Sequence, residues 1–166
     1  QVTALIKKHG VWQLEQKTMS VSIGYKSGND NQGEESTSIG YASGQQNQGP
    51  RSVCIGVQSG ESNGGTGQVN IGYQSGRLNT INNKYSTNIG YQTGYENQGE
   101  YCVAIGHKAG YLDQTSKSIV INASETILNS THSGLFVKPI RSVGTQGISG
   151  KKQLYYDETS GEIVIE

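Results

Sequence analysis

The chain is short of almost everything that builds a conventional core. Its 166 residues include one Met, one Trp, one Phe and two Pro, and apolar types together make up 32 %, well below an ordinary globular domain. No apolar run approaches the roughly 18 residues that read as a membrane-spanning helix, so membrane insertion is not expected. Charge is scarce as well. The 13 basic and 13 acidic residues cancel and form no basic stripe, which excludes nucleic acid as an expected partner. At 16 % charged residues the chain is also unlike charge-rich disordered sequence. No targeting signal is visible. Opening at Gln1 rather than Met, it reads as a fragment, a processed product or a trimmed chain.

What is present is glycine, 24 residues of it, together with Ser, Thr, Asn and Gln. Such a composition ordinarily reads as a linker. Here it carries a repeated phrase. Ile23-Gly24-Tyr25-Lys26-Ser27-Gly28 returns as Ile39-Gly40-Tyr41-Ala42-Ser43-Gly44 and Ile55-Gly56-Val57-Gln58-Ser59-Gly60. It returns again from Ile71, Ile89 and Ile105, and in decayed form from Ile119 to Ser124. The isoleucines are spaced by 16, 16, 16, 18, 16 and 14 residues. A short fixed period signals a stacked architecture.

Aligned on the isoleucine, the copies carry Val21, Thr37, Val53, Val69, Thr87, Val103 and Lys117 two positions earlier. Two positions later stand Tyr25, Tyr41, Val57, Tyr73, Tyr91, His107 and Ile121. This period-2 alternation predicts a strand with one buried face, the Val, Ile and Tyr side chains filling the coil. Gly follows the isoleucine in six of seven copies and marks a close backbone approach or a bend. The last Gly of the phrase predicts a turn at positive φ. Eight residues after the isoleucine stand Asn31, Asn47, Asn63, Asn79, Asn97 and Asp113, in register for an amide ladder. Each coil is thus a strand, a Ser-Gly turn, a short second strand and an Asn-Gln-Gly turn. Seven coils make an all-β parallel β-roll or β-solenoid roughly 34 Å long at about 4.8 Å per coil. The irregular stretch 77–86 predicts a loop insertion. Cys54 and Cys102 lie three repeats apart, about 14 Å along such a stack and beyond the reach of about 7 Å that a disulfide allows. Both are expected as free thiols.

Three regions follow. Residues 1–20 are a cap or connector, with Trp12 covering the open end of the stack. Residues 21–124 are the solenoid. Residues 125–166 form a small β module, in which 134–141 is an edge strand by virtue of Pro139, 143–152 a polar loop, and 154–157 with 162–165 a hairpin. A chain so poor in core residues is expected to need oligomerisation.

Ser38-Ile39-Gly40-Tyr41-Ala42-Ser43-Gly44 and Val103-Ala104-Ile105-Gly106-His107-Lys108-Ala109-Gly110 resemble the head repeats of trimeric adhesins of the YadA type, over about 100 residues at a longer period. The version with Asn-Gln-Gly is similar to repeats in fibre proteins of large DNA viruses and tailed phages. So is the succession from 118–124 through 134–141 to 154–157. In many of those proteins a self-cleaving chaperone that helps trimerisation follows; none follows before Glu166. The resemblance implies a left-handed roll and a homotrimer on a virion surface, contacting a host cell-surface glycan or protein. A bacterial surface adhesin is the alternative.

Chemistry-bearing residues are few. His107 takes the Tyr position, and His9 and His132 have no sequence partner at metal-ligand spacing, so no metal or cofactor is expected. Asp157, Glu158 and Glu162 cluster at one hairpin, where a glycosidase would need two carboxyls flanking a cleft. Ile-Gly-x-x-Ser-Gly also fits one unit of the hexapeptide repeat of β-helix acyltransferases, with His107 as the sole candidate base. The period of 16 departs from their three units per coil. Ice binding would require a Thr ladder, and the threonines are scattered. The expectation is therefore a structural, non-enzymatic protein, with a β-helix transferase or polysaccharide-degrading fibre as the enzyme alternative. Specificity is expected where the copies differ. Tyr95, Tyr111 and Arg77 occupy the variable position after the phrase Gly, also held by Asn29, Gln45 and Glu61, and are the candidate glycan- or receptor-binding residues.

Overall fold

The path of a coil is set by a recurring series of left-handed residues. Between Ile39 and Val53 these are Gly40 (φ 132°), Ala42 (52°), Gly44 (53°), Asn47 (53°) and Arg51 (56°). For a residue with a Cβ this conformation costs about 1–2 kcal/mol. It is held by hydrogen bonds to the neighbouring coils: Ala42 N donates to Tyr25 O (2.8 Å), Asn47 N to Asp30 O (2.8 Å) and Arg51 N to Glu34 O (2.9 Å).

The computed structural model describes residues 19–79, 83–141, 154–157, 159–161 and 163–165. The expected cap, with Trp12 and His9, falls outside them except for residues 19 and 20. So do the loop 143–152, Glu158 and Glu162. Strands β1 (Val21–Ile23), β2 (Thr37–Ile39), β3 (Val53–Ile55), β4 (Val69–Ile71), β5 (Thr87–Ile89), β6 (Val103–Gly106), β7 (Ser118–Asn122) and β8 (Gly134–Lys138) form one parallel sheet in sequence order. This is a β-solenoid of about seven turns. The expected second strand is present as isolated parallel bridges, such as Asp30 with Gln46 and Leu78 with Glu96. Strands β9 (Leu154–Tyr156) and β10 (Ile163–Ile165) make the expected antiparallel hairpin. Among the described residues there is no helix that could cross a membrane.

The repeat is more regular than the sequence alignment suggests. Ile105 pairs with Ile121, not Ile119, and Ile121 pairs with Val137. The last copy therefore keeps the 16-residue step, and the apparent 14 came from choosing the wrong isoleucine. The sheet also runs one strand past the repeat, with β8 at its edge and Pro139 just beyond it. In the 18-residue coil, Leu78 bridges Glu96 and Asn83 O lies against Gly65, which confines the two extra residues between Asn79 and Asn83.

The largest correction concerns which face is inside. The residues between the Val and Ile positions, Ser38, Cys54, Asn70, Asn88, Ala104 and Val120, are fully buried. The Val, Ile and Tyr positions are all at least partly exposed; Ile23 is 56 % and Tyr41 50 % exposed. The alternation is real but the expected face is inverted, because the coil is too narrow for large side chains. Its first Gly stands almost on the next coil: a Cβ on Gly56 would lie 2.5 Å from Gly72 O, and one on Gly40 would lie 2.4 Å from Gly56 O.

A polar network fills the narrow interior. The phrase serine bonds each coil to the next, Ser27 Oγ donating to Ser38 O (2.8 Å), Ser43 to Cys54 O (2.7 Å) and Ser59 to Asn70 O (2.7 Å). Buried Gln48 accepts from Ser38 Oγ (2.6 Å) and donates to Thr37 O (3.1 Å) and Ser52 O (3.2 Å). Where Gly64 replaces that glutamine, Gln68 takes the usual Ser position and bonds Asn63 and Asn83 O. The expected asparagine ladder survives only as Asn31–Asn47 and Asn97–Asp113, both 3.2 Å. Asn63 and Asn79 are buried and turn instead to Gln68 and Gly94 O.

Gly56→Ala should therefore cost about 3 kcal/mol or more in urea unfolding, through strain and overlap. Gln48→Ala should cost about 2–4 kcal/mol by leaving buried partners unpaired. A change under 1 kcal/mol for Gly56→Ala, judged on the scale of ordinary surface substitutions, would refute the close approach.

Candidate functional site

Past the sheet, each coil turns a corner through the third residue after the isoleucine and the phrase Gly. Because the backbone repeats, side chains at equivalent positions form columns along the rod. At the third position Gln74 Nε2 donates to Gln58 Oε1 (2.9 Å) and Gln92 Nε2 to Gln74 Oε1 (2.7 Å). The adjacent column carries the three predicted residues, and the structure brings them together. Arg77 pairs with Glu61 and donates from Nη1 to Tyr95 OH (3.0 Å). Its guanidinium carbon lies 5.8 Å from the Tyr95 ring centre. Tyr95 stacks on Tyr111 with centroids 4.9 Å apart, and Lys108 Nζ lies 5.8 Å from the Tyr111 centre.

Sequence reasoning missed the glutamine ladder, although Gln at the same position in three successive copies signalled it. Both tyrosines are half-buried, more enclosed than the solvent-facing turn positions expected of them. Burial opposes the Arg77 charge, and Glu61 and Tyr95 together outweigh it and hold the pKa above its usual value. Burial, then the neighbouring Tyr95 and Glu96, raises that of Tyr111. Arg77 is thus committed to Glu61 and Tyr95, and Tyr95 has a neighbour over each face. The corner offers ring edges, hydroxyls and amides to a ligand.

The remaining candidates are dispersed. His107 stacks on Tyr91 at 5.5 Å, and its Nδ1 lies 3.2 Å from Ser124 O, so Nδ1 carries the proton and donates. His132 packs edge-on to Phe136 and contacts Thr131 Oγ1 (3.0 Å). Asp157 accepts from Thr159 N (2.8 Å) and Ser160 N (3.3 Å); these bonds lower its pKa and close the hairpin turn. No group of three or more His, Cys, Asp or Glu suited to a metal occurs among the described residues. Both cysteines are free and buried. Burial pushes the Cys54 thiol up to about 11 and raises that of Cys102. No family model, no curated protein and no solved structure matches the chain.

The Cys54 thiol stabilises the fold fully below its unfolded pKa of 9.0, and that contribution is lost as pH rises to about 11. The stability difference between the parent and Cys54→Ala should therefore narrow by about 2–3 kcal/mol across this window. In the native protein at pH 8, Cys54 should resist alkylation until urea unfolds the chain. Rapid native labelling would contradict its burial.

Proposed function

We propose that the chain is a structural segment of a trimeric fibre or attachment protein, carried on the surface of a virus or phage, that displays a host-binding surface. The observation that supports this reading is the outward stripe of Val or Thr, Ile and Tyr, continuous over the sheet from β1 to β6 and prolonged by Ile119, Ile121, Leu135 and Val137. An apolar face this continuous is unusual on a soluble monomer and marks an interaction surface. Its flatness and regular rise suit other copies of the same rod. Each half-exposed Ile or Tyr has about 1 kcal/mol still to gain on burial, so the stripe as a whole can exceed an association cost of about 4–15 kcal/mol. Three copies joined along it leave the corners outside. There the ring edges of Tyr95 and Tyr111, with Arg77 holding Tyr95 in place, face a host-surface glycan or protein, and weak sites on three chains add through effective concentration. This reading assigns the protein no reaction.

Sedimentation equilibrium should give three chains per particle. Ile39→Asp combined with Ile71→Asp should give a monomer with an unchanged far-ultraviolet circular dichroism spectrum. A monomeric parent would refute the assembly. On a glycan array with a hydrolysis readout, binding without turnover is expected; turnover would replace attachment with enzymatic action.

A further inference from the structure

The corner on the opposite side of the sheet carries a second column, one residue before each buried Ser, Gln or Cys that leads into the strand. Its members are Glu35, Arg51, Gly67, Tyr85, Tyr101 and Lys117, all at positive φ from 56° to 65° except Tyr85 at 54°. Their alignment is fixed by a spine of backbone bonds, each donated to the preceding coil. Arg51 N donates to Glu34 O (2.9 Å), Gly67 N to Pro50 O (3.0 Å), Tyr85 N to Thr66 O (2.9 Å), Tyr101 N to Lys84 O (2.9 Å) and Lys117 N to Glu100 O (2.9 Å). Tyr85 and Tyr101 stack at 5.5 Å and are each 54 % exposed.

Gly67 interrupts this column with a missing side chain. Cδ1 and Cε1 of Tyr85 lie 2.9 and 3.1 Å from where its Cβ would stand, so one edge of the Tyr85 ring leans over Gly67, and no other atom of the described residues lies within 4 Å. The outer face of Tyr85 therefore meets only the Gly67 backbone at one edge and lacks the side chain that covers each face of Tyr95. Beyond the notch stands Arg51, two coils from Tyr85, or about 9.6 Å along the axis. That leaves room for one ring against Tyr85. Arg51 is exposed and, unlike Arg77, has no ion pair among the described residues. Glu35 lies on its far side, away from the notch.

We propose that this notch binds an acidic pyranose, a sugar ring bearing a carboxylate, with its apolar face on Tyr85 and its carboxylate on Arg51. The inference rests on the reading of the protein as a host-binding fibre and adds a ligand class and a second site. Tyr supplies stacking area at low entropic cost. A planar guanidinium holds a carboxylate through two parallel hydrogen bonds, so a neutral sugar would keep the ring contact and lose the stronger one. The ligand takes the vacant place in the column, so the backbone need not move.

The test is a titration of the full chain with sialyllactose, a glucuronate-bearing disaccharide, neutral lactose and acetate, followed by ligand-observed magnetic resonance and calorimetry. An acidic sugar should bind at least tenfold more tightly than lactose, and acetate should not bind measurably. Gly67→Asn tolerates the left-handed backbone; its side chain pushes the Tyr85 ring aside and fills the notch. It, Tyr85→Ala and Arg51→Gln should each weaken acidic-sugar binding at least tenfold, with circular dichroism and sedimentation unchanged. If Gly67→Asn does not fold, the two exposed positions decide. Equal affinity for acidic and neutral sugars, no binding of either acidic sugar, or affinity retained in Tyr85→Ala and Arg51→Gln overturns the assignment. A monomeric parent that still binds through Tyr85 and Arg51 would sink the trimer and leave the notch standing.

Discussion

Successive coils approach so closely at one glycine that no side chain fits between them. At Gly24, Gly40, Gly56, Gly72, Gly90 and Gly106 a Cβ would stand 2.0–2.5 Å from a carbonyl oxygen of the next coil. This contact holds the coils together at the bend that follows each strand, and the coil that bends there is narrow. Among the described residues such a coil encloses Ser, Thr, Ala, Cys, Val, or an Asn or Gln amide. Its interior is therefore held by hydrogen bonds, since an unpaired buried polar group costs about 1–3 kcal/mol; among the described residues Asn83 Oδ1 is the one buried side-chain polar atom left without a partner. Large apolar residues are displaced outward, onto the exposed face of the parallel sheet.

The stack was legible in the sequence because its cause is local and repeated. Positive φ at the phrase Gly, close approach after the isoleucine, and a strand between them each require a particular residue type at every turn. The direction of the side chains was not legible. Alternation says that two faces differ, but it carries no sign. Judged by hydrophobicity alone, Ile55 belongs inside and Cys54 or Asn70 outside. The size of the coil reverses that, and nothing in the periodicity states the size. The shift from Ile119 to Ile121 has the same origin: with the inner residues Ala104 and Val120 as reference, the period is unbroken.

The candidate corner was legible for a related reason. Tyr95, Tyr111 and Arg77 were singled out because one variable position was compared across copies, and a solenoid turns equal sequence positions into neighbours. Their chemistry was not legible, because it depends on what stands one coil away. Both arginines follow a glutamate one coil back, Arg77 after Glu61 and Arg51 after Glu35, yet among the described residues only Arg77 forms the ion pair. What separates them is the next rung, Tyr95 beyond Arg77 and Gly67 beyond Arg51.

This order also explains how one scaffold can be both uniform and selective. Uniformity is demanded inside, where Gln68 compensates within its own coil for the glutamine that Gly64 replaces. Outside, a change at one rung alters only the faces of the rungs beside it. Replacing a side chain by Gly67 therefore opens a gap one ring wide without disturbing the glycine contact or the buried serines. In a rod of this kind a binding site need not be a cavity in the fold. A missing member of a column is enough, and the residues above and below it, here Tyr85 and Arg51, determine what can take its place.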